Sequence, residues 1–301
     1  MARLFGESGL RFINSTMLFI GSTRRSFWPR LLAGFSYGVP LVFIVAPFAS
    51  FLAYGFFHLE NGDVSHAPTL ANYIRFFTDA IFIPVLWQTC LLCLSVSALT
   101  IIFGYPVAFL LANLKGQRRH ILLLMVVVPL LMSYIIKIYA IRSILGGTGL
   151  LNRFLLWTGL VDQPLTLFVF NLNAVLLTLT VLLIPFAILP IFLSLERIPK
   201  SLIEASTDLG ASGLQTFLRI VLPLSLPGVV SAATFVFVLA IGDFLTPQMV
   251  GGQSGFTFGR IIYSQFGTAF NWPFGAALST ILGIVVVAVI MLGNRLERRN
   301  A

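Results

Sequence analysis

Residues 165–195 read LTLFVFNLNAVLLTLTVLLIPFAILPIFLSL, thirty-one positions without a charged side chain. A helix crosses the hydrocarbon of a bilayer in about 20 predominantly apolar residues, so this run can span, and its densest part begins after Asn173. Five further runs of this kind lie on either side of it. Leu31–Phe57 and Ala80–Leu114 carry no charge, the latter starting with a short interfacial piece before Pro84, and Ile121–Ile141 is broken only by Lys137. Pro227–Gly242 follows a polar stretch and Pro273–Gly293 closes the set. These runs far exceed the roughly 10-residue alternating segments of an outer-membrane barrel. The expectation is an all-α integral membrane protein, a six-helix bundle over 31–293 between an N-terminal segment 1–30 and a basic tail 294–301.

Composition agrees. Of 301 residues 58% are apolar and 10% charged, against about 25% charged in soluble domains, which excludes a water-soluble globule. The net charge of +9 sits in short clusters between apolar runs, which argues against a nucleic-acid partner. The 19 Lys and Arg set the orientation: fourteen fall before the first span, in the second and fourth loops and in the tail, and five elsewhere. By the positive-inside rule both termini and the even-numbered loops are expected to be cytoplasmic. Thr23-Arg24-Arg25-Ser26-Phe27 superficially fits a twin-arginine export signal, but no cleavage site follows, so the segment reads as basic flank of an uncleaved helix. Leu10–Ile20 reads as a piece lying on the membrane surface.

Chemistry-bearing motifs are scarce. Cys90-x-x-Cys93 lies inside an uncharged span and reads as two small apolar residues rather than a redox pair. His58, His66 and His120 are scattered and suggest no metal site. Of the lysines Lys115, Lys137 and Lys200, only Lys200 precedes Ser or Thr, and Pro199 stands where a P-loop needs glycine. No catalytic constellation is visible, so no catalytic residue and no cofactor are expected in this chain.

The loop between spans four and five, 196–226, differs from the rest. Ser201-x-x-Glu204 has the form of a capping box that starts a helix running to Leu209, and Gly210 suits a left-handed end. Ser212 is placed to cap a second short helix through Arg219 and Ile220, until Leu222-Pro223 turns the chain back into the membrane. Glu204-Ala205-Ser206, Gly210, Ile220, Leu222 and Pro223 match the E-A-A, G, I-x-L-P spacing of permease subunits of binding-protein-dependent ABC importers, with Ser206 in place of the second alanine. Over most of its length the chain resembles the spermidine/putrescine branch of that family. The stretches that carry this are Gly104-Tyr105-Pro106, Leu150-Leu151-Asn152 with Asp162-Gln163-Pro164-Leu165-Thr166, Gly242-Asp243-Phe244 on to Pro247 and Gly251-Gly252, and Trp272-Pro273.

The resemblance implies that this loop is a coupling helix seated in a separate ATPase, with Gly210 allowing close backbone approach and Glu204 offering an anchoring charge. It implies two ATPase subunits carrying ATP and Mg, a second related permease subunit and an external solute-binding protein. The implied solute is a polyamine; related permeases take opines, phosphonates or iron complexes. A secondary transporter is a further alternative, but it would need several intramembrane acids.

Asp243, at the outer end of span five, is the expected meeting point for an organic cation, since ionisable groups at membrane depth cost about 2.5 to 3.5 kcal/mol to insert. The other reading is an ion pair or helix-end role with Lys137 or Arg260. Tyr105, Tyr134, Tyr139, Phe244 and Trp87 are aromatic candidates for the path, with interfacial belts and packing as their alternative role. Pro106, Pro129, Pro185 and Pro190 inside spans suit a wet cavity. The long outer loops 142–164, with a short helix over Leu150–Leu160, and 243–272, rich in turn-forming Gly and Pro, are expected to receive an external partner.

Overall fold

The computed structural model describes residues 34–36, 38–60, 62–65 and 67–300. Segment 1–30, the run Leu10–Ile20, the basic residues ahead of the first span, Leu31 and His66 thus lie outside the described residues. The chain divides into two units, Met1–Ala53 and Tyr54–Ala301. The first contributes most of α1 (Gly34–Tyr54), apolar enough to cross a membrane, with a wide π turn at Leu41–Val45 directly after Pro40. Proline has no N–H for the turn before it, and a widened turn is one way for a helix to continue past that gap.

In the second unit a small hairpin of β1 (His58–Glu60) and β2 (Asp63–Ser65) pairs Leu59 with Val64. It leads to α2 (Ala71–Thr78), whose buried Asn72 donates through Nδ2 to the carbonyls of Gly55 at 3.0 Å and Phe57 at 2.6 Å. The long α3 (Phe82–Asn113) follows. No separate piece precedes Pro84, contrary to expectation: Pro84 falls in the first turn of α3, where an N–H has no intrahelical acceptor, so proline costs nothing there.

The third crossing also departs from expectation. In place of one helix over Ile121–Ile141, α4 (Gly116–Leu131) ends after Pro129, and α5 (Tyr134–Leu145) begins beyond an interruption at Met132–Ser133. By length and apolarity the stretch 134–157, which joins α5 to α6 (Leu150–Trp157), ranks among the six candidate spans. Contacts nevertheless assign the crossing to α4 and α5 together: Arg119 of α4 pairs with Glu196, while Tyr134 of α5 bonds Asp243. Glu196 ends α7 (Leu172–Glu196) and Asp243 follows α10 (Leu222–Ile241).

The fourth crossing, α7, starts where Asn171 accepts the Ala174 N–H at 2.9 Å, so the apolar residues 165–170 precede the helix. The loop holds α8 (Lys200–Asp208) and α9 (Gly213–Thr216), then a π turn at Phe217–Val221 leads without a break into α10. Leu222-Pro223 is therefore not a turn: Pro223 continues the helix directly after the π turn, a widened turn being one way to pass its missing N–H. The fifth crossing accordingly begins before Pro227. Despite its turn-rich composition, the loop after it forms α11 (Leu245–Val250) and α12 (Phe258–Gly267). The last crossing, α13 (Trp272–Asn300), outruns the expected Pro273–Gly293.

Helix α7 is the hub, packed on α3 and α10. Lipid supplies no hydrophobic drive between helices, so close contact depends on small residues. A Cβ on Gly104 of α3 would lie 3.3 Å from Ile188 Cγ1 and 3.6 Å from Ala187 Cβ, and one on Gly228 of α10 would collide with Ser194 and Pro190. Val175, Leu179, Ala187, Ile191, Ala232 and Val236 fill the seams. A second cluster of Phe76, Phe82, Phe258 and Phe274 ties α2, α3, α12 and α13, and Arg75 lies 4.5 Å over the Phe274 ring.

Candidate functional site

Two sites emerge, at opposite ends of α7 and α10. At the loop end, α8 starts at Lys200 with Pro199 before it, and no side chain caps it. Ser201 is thus inside the helix and makes no box with Glu204. The reciprocal box is at Ser212 and Gln215, where Ser212 Oγ accepts the Gln215 N–H at 3.3 Å and Gln215 Oε1 accepts the Ser212 N–H at 2.9 Å. Between the two helices Gly210 has φ +79°, and a Cβ there would meet nothing within 4 Å. The tip is apolar and bare, with Leu209 88% and Leu214 68% exposed. Ala205 and Glu204 are exposed beside it, and among the described residues Glu204 has no ion-pair partner.

Contacts within this projection and at its base hold it in place. Ser206, the departure from the E-A-A pattern, is buried and its hydroxyl lies 2.9 Å from Thr216 Oγ1, joining α8 to α9. Phe217 sits edge-on to both Tyr105 and Phe109 of α3, at 5.8 Å each, and the Tyr105 hydroxyl lies 2.8 Å from Ser225 Oγ on α10. Arg119 pairs with Glu196 and covers the Phe192 ring at 5.1 Å. A cavity of about 600 Å³, walled by Phe109, Arg119, Glu196, Glu204 and Phe217, separates the loop from the helix ends. Ile220 and Leu222 are half-buried and Pro223 exposed on the returning helix.

The second site surrounds Asp243. Gly228 meets α7 at Ser194, and counting along the helices at 1.5 Å per residue puts Asp243 about 10 Å short of the level where α7 begins. The carboxylate is therefore inside the bundle rather than at its rim. Oδ1 accepts the N–H groups of Leu245 at 2.9 Å and Thr246 at 3.3 Å, starting α11, and Oδ2 accepts the Tyr134 hydroxyl at 2.6 Å. Thr246, which the sequence reading passed over, is fully buried with Oγ1 3.0 Å from the Tyr134 oxygen. Neither expected cation pairs with Asp243: Lys137 lies over the Tyr134 ring at 5.6 Å, and Arg260 donates to the Gly252 carbonyl and covers Phe256. The helix-end half of that alternative is what the contacts show.

The aromatic candidates separate. Tyr134 contacts Asp243, and Phe244 stacks on Tyr263 at 4.5 Å and 12°. Tyr139 and Trp87 are exposed, 53% and 66%, as residues at a lipid surface are. Tyr105 belongs to the loop end, about the length of a crossing from Asp243, because its hydroxyl is held by Ser225. At the end of the bundle opposite the loop 196–226, Asn152 links the two motif pieces noted above, donating to the Gly146 and Leu165 carbonyls at 3.2 and 3.1 Å and accepting the Leu165 N–H at 2.8 Å. Among the described residues no His/Cys/Asp/Glu group is arranged to hold a metal.

A model of the family described as "Binding-protein-dependent transport system inner membrane component" matches residues 17–299. The chain belongs to this family. It is thereby a multi-pass inner-membrane permease subunit and not an enzyme. It is 37% identical over 230 residues to the spermidine/putrescine transport system permease protein PotB of Escherichia coli (strain K12), covering 76% of this chain and 83% of that one. To the protein of the same name from Haemophilus influenzae it is 32% identical over 264 residues, 86% of this chain and 92% of the other. Its fold is shared with a chain of a bacterial alginate ABC transporter solved with a pentasaccharide-bound periplasmic protein: TM-score 0.71, 17% identity, 92% of this chain and 96% of that one. A methionine ABC transporter chain in inward-facing form matches at TM-score 0.56 with 22% identity, over 73% and 95%.

Proposed function

We propose that this permease subunit carries a polyamine of the putrescine or spermidine kind into the cell, as part of an importer driven by separate ATPase subunits. The observation that carries the solute class is the 32–37% identity, over most of the chain, to relatives named for spermidine and putrescine. A carboxylate inside the bundle that forms no ion pair among the described residues is consistent with a cationic solute. Delivery is by an external binding protein at the outer loops 142–164 and 243–272, and a second related permease subunit completes the path. ATP and Mg belong to the ATPases, two per assembly. In this reading both termini and the even-numbered loops face the cytoplasm.

The ATPase docks on the loop 201–223. Support comes from an exposed tip with Leu209 and Leu214 bare, an open space beside Gly210, and Glu204 without an ion-pair partner among the described residues. Within the loop Glu204, Ala205 and Gly210 make the contact, Ser206 holds α8 on α9, and Ile220, Leu222 and Pro223 carry movement into α10. The path runs past Asp243, Tyr134 and Phe244; Tyr139 and Trp87 serve as lipid-facing anchors, and Tyr105 works at the loop end. The test is purification from native membranes with crosslinkers at Ala205 and Ser212, joined to uptake of radiolabelled putrescine and spermidine with and without the binding protein. An ATPase crosslinked at both positions and binding-protein-dependent uptake are expected. Absence of any nucleotide-hydrolysing neighbour would refute the coupling role.

A further inference from the structure

Resting on the cation-import reading above, we propose that Tyr134 and Thr246 make Asp243 a switchable receptor for a primary ammonium group, in which the Tyr134 hydroxyl holds the place that the solute takes. Two helix interruptions meet at this point, Met132–Ser133 between α4 and α5 and Gly242–Phe244 between α10 and α11. Tyr134 is the first residue of α5, and its bond to Asp243 joins the two interruptions across 109 positions of sequence. Non-helical backbone at membrane depth is tolerated where it is enclosed by protein or lines a wet path.

The direction of each hydrogen bond follows from chemistry. An ionised carboxylate only accepts, so Tyr134 donates to Oδ2, and the Tyr134 oxygen in turn accepts the Thr246 hydroxyl. Oδ1 is occupied by two backbone N–H groups that fix the carboxylate as the start of α11. Oδ2 is the exchangeable oxygen, closed by one rotatable O–H. Among the described residues no cationic side chain forms an ion pair with the carboxylate.

An ammonium brings three donors and a charge. It takes Oδ2 with a charge-assisted bond, about twice as strong as a neutral one. The Tyr134 O–H then turns to Thr246 Oγ1, whose own proton turns out to the wet path, and the Tyr134 oxygen is left to accept a second proton of the ammonium. The two hydroxyls rotate and the Tyr134 ring moves off Oδ2 to admit the ammonium, while the Leu245 and Thr246 N–H groups keep their acceptor. Once the Tyr134 proton leaves Asp243, the tie between α5 and the carboxylate runs through the solute, and the neutral Tyr134–Thr246 bond is the direct tie left between α5 and α11. Lys137, beside the Tyr134 ring, repels a second charge on that side, so the remainder of a flexible diamine points away from it.

The experiment uses the assembled importer in proteoliposomes, reading ATP hydrolysis without solute and uptake of radiolabelled putrescine and spermidine. Tyr134→Phe keeps the ring and deletes the latch, and is expected to raise solute-free hydrolysis about tenfold, the equivalent of one charge-assisted bond. Thr246→Val is expected to move the same readout in the same direction, and Thr246→Ser, which restores the hydroxyl, to reverse it. Asp243→Asn is expected to lower uptake at least about tenfold and to abolish the further effect of Tyr134→Phe, because both act on one bond. Unchanged solute-free hydrolysis in Tyr134→Phe, or effects that add in the double variant, would overturn the latch. Wild-type uptake by Asp243→Asn would overturn Asp243 as the receptor. If the unaltered importer takes up neither amine, the cation-import reading fails by itself, with the latch still readable from hydrolysis.

Discussion

Replacing Tyr105 by phenylalanine removes one oxygen from the junction between the loop and α3 and leaves the rest of the ring in place. The hydroxyl lies 2.8 Å from Ser225 Oγ, a bond whose net worth is about 1 kcal/mol. The edge-on contact to Phe217 at 5.8 Å persists, so the second half of the grip on the π turn, worth about 0.5 to 1.5 kcal/mol per ring pair, is not touched. If the junction makes α3 and α10 follow the loop as one body, weakening it by about 1 kcal/mol raises the population in which they move separately about fivefold. The assay is the number of ATP molecules hydrolysed per polyamine imported by the reconstituted importer. That ratio should rise several-fold in Tyr105→Phe and further in Phe217→Ala, while the amount of assembled complex is unchanged. Ser225→Ala should give a similar ratio, and the double variant Tyr105→Phe with Ser225→Ala should be no worse than either alone. A ratio equal to that of the unaltered importer, with hydrolysis and uptake falling together, would refute the junction as a coupling element.

Other outcomes are equally direct. Gly210→Ala places a Cβ on a left-handed backbone at a cost of about 1 to 2 kcal/mol and should lower uptake partially, whereas Gly210→Trp should abolish ATPase crosslinking and uptake with normal membrane insertion. Ser206→Ala restores the residue usual at that position but severs the bond to Thr216, and should loosen the loop by about 1 kcal/mol, read as faster hydrogen exchange over 200–216. Asn152→Ala leaves the Leu165 N–H and two carbonyls without their partner and should cost about 2 to 3 kcal/mol, seen as a lower unfolding temperature and earlier protease cutting in 146–165.

The six crossings, the loop between the fourth and fifth, and the family were legible in the residues because lipid imposes a length and forbids charge, two conditions that act on each segment alone. Caps that rest on near neighbours were legible for the same reason: Ser212 and the left-handed Gly210 fell where the pattern placed them. The Ser201 box failed locally, because Pro199, extended at ψ 129°, lets Lys200 start the helix and moves Ser201 inside it. The interruption at Met132–Ser133 had a hint in Pro129, but what anchors the restart of the helix is a bond from Tyr134 to a residue far along the chain. The aromatic character of Tyr105 is legible in the sequence, whereas its contacts with Phe217 and Ser225 at the loop end are not.

The sequence by itself determined how many times the chain crosses lipid, which loop differs from the others, and to which family the whole belongs. The tertiary structure alone decided that Asp243 answers to Tyr134 and Thr246 rather than to Lys137 or Arg260, and that Ser206 clasps Thr216. The physical reason is range. Solvation and helix capping act over a few residues and leave a mark in each segment, whereas a hydrogen bond between side chains more than a hundred positions apart depends on how two helices pack, which no single segment encodes.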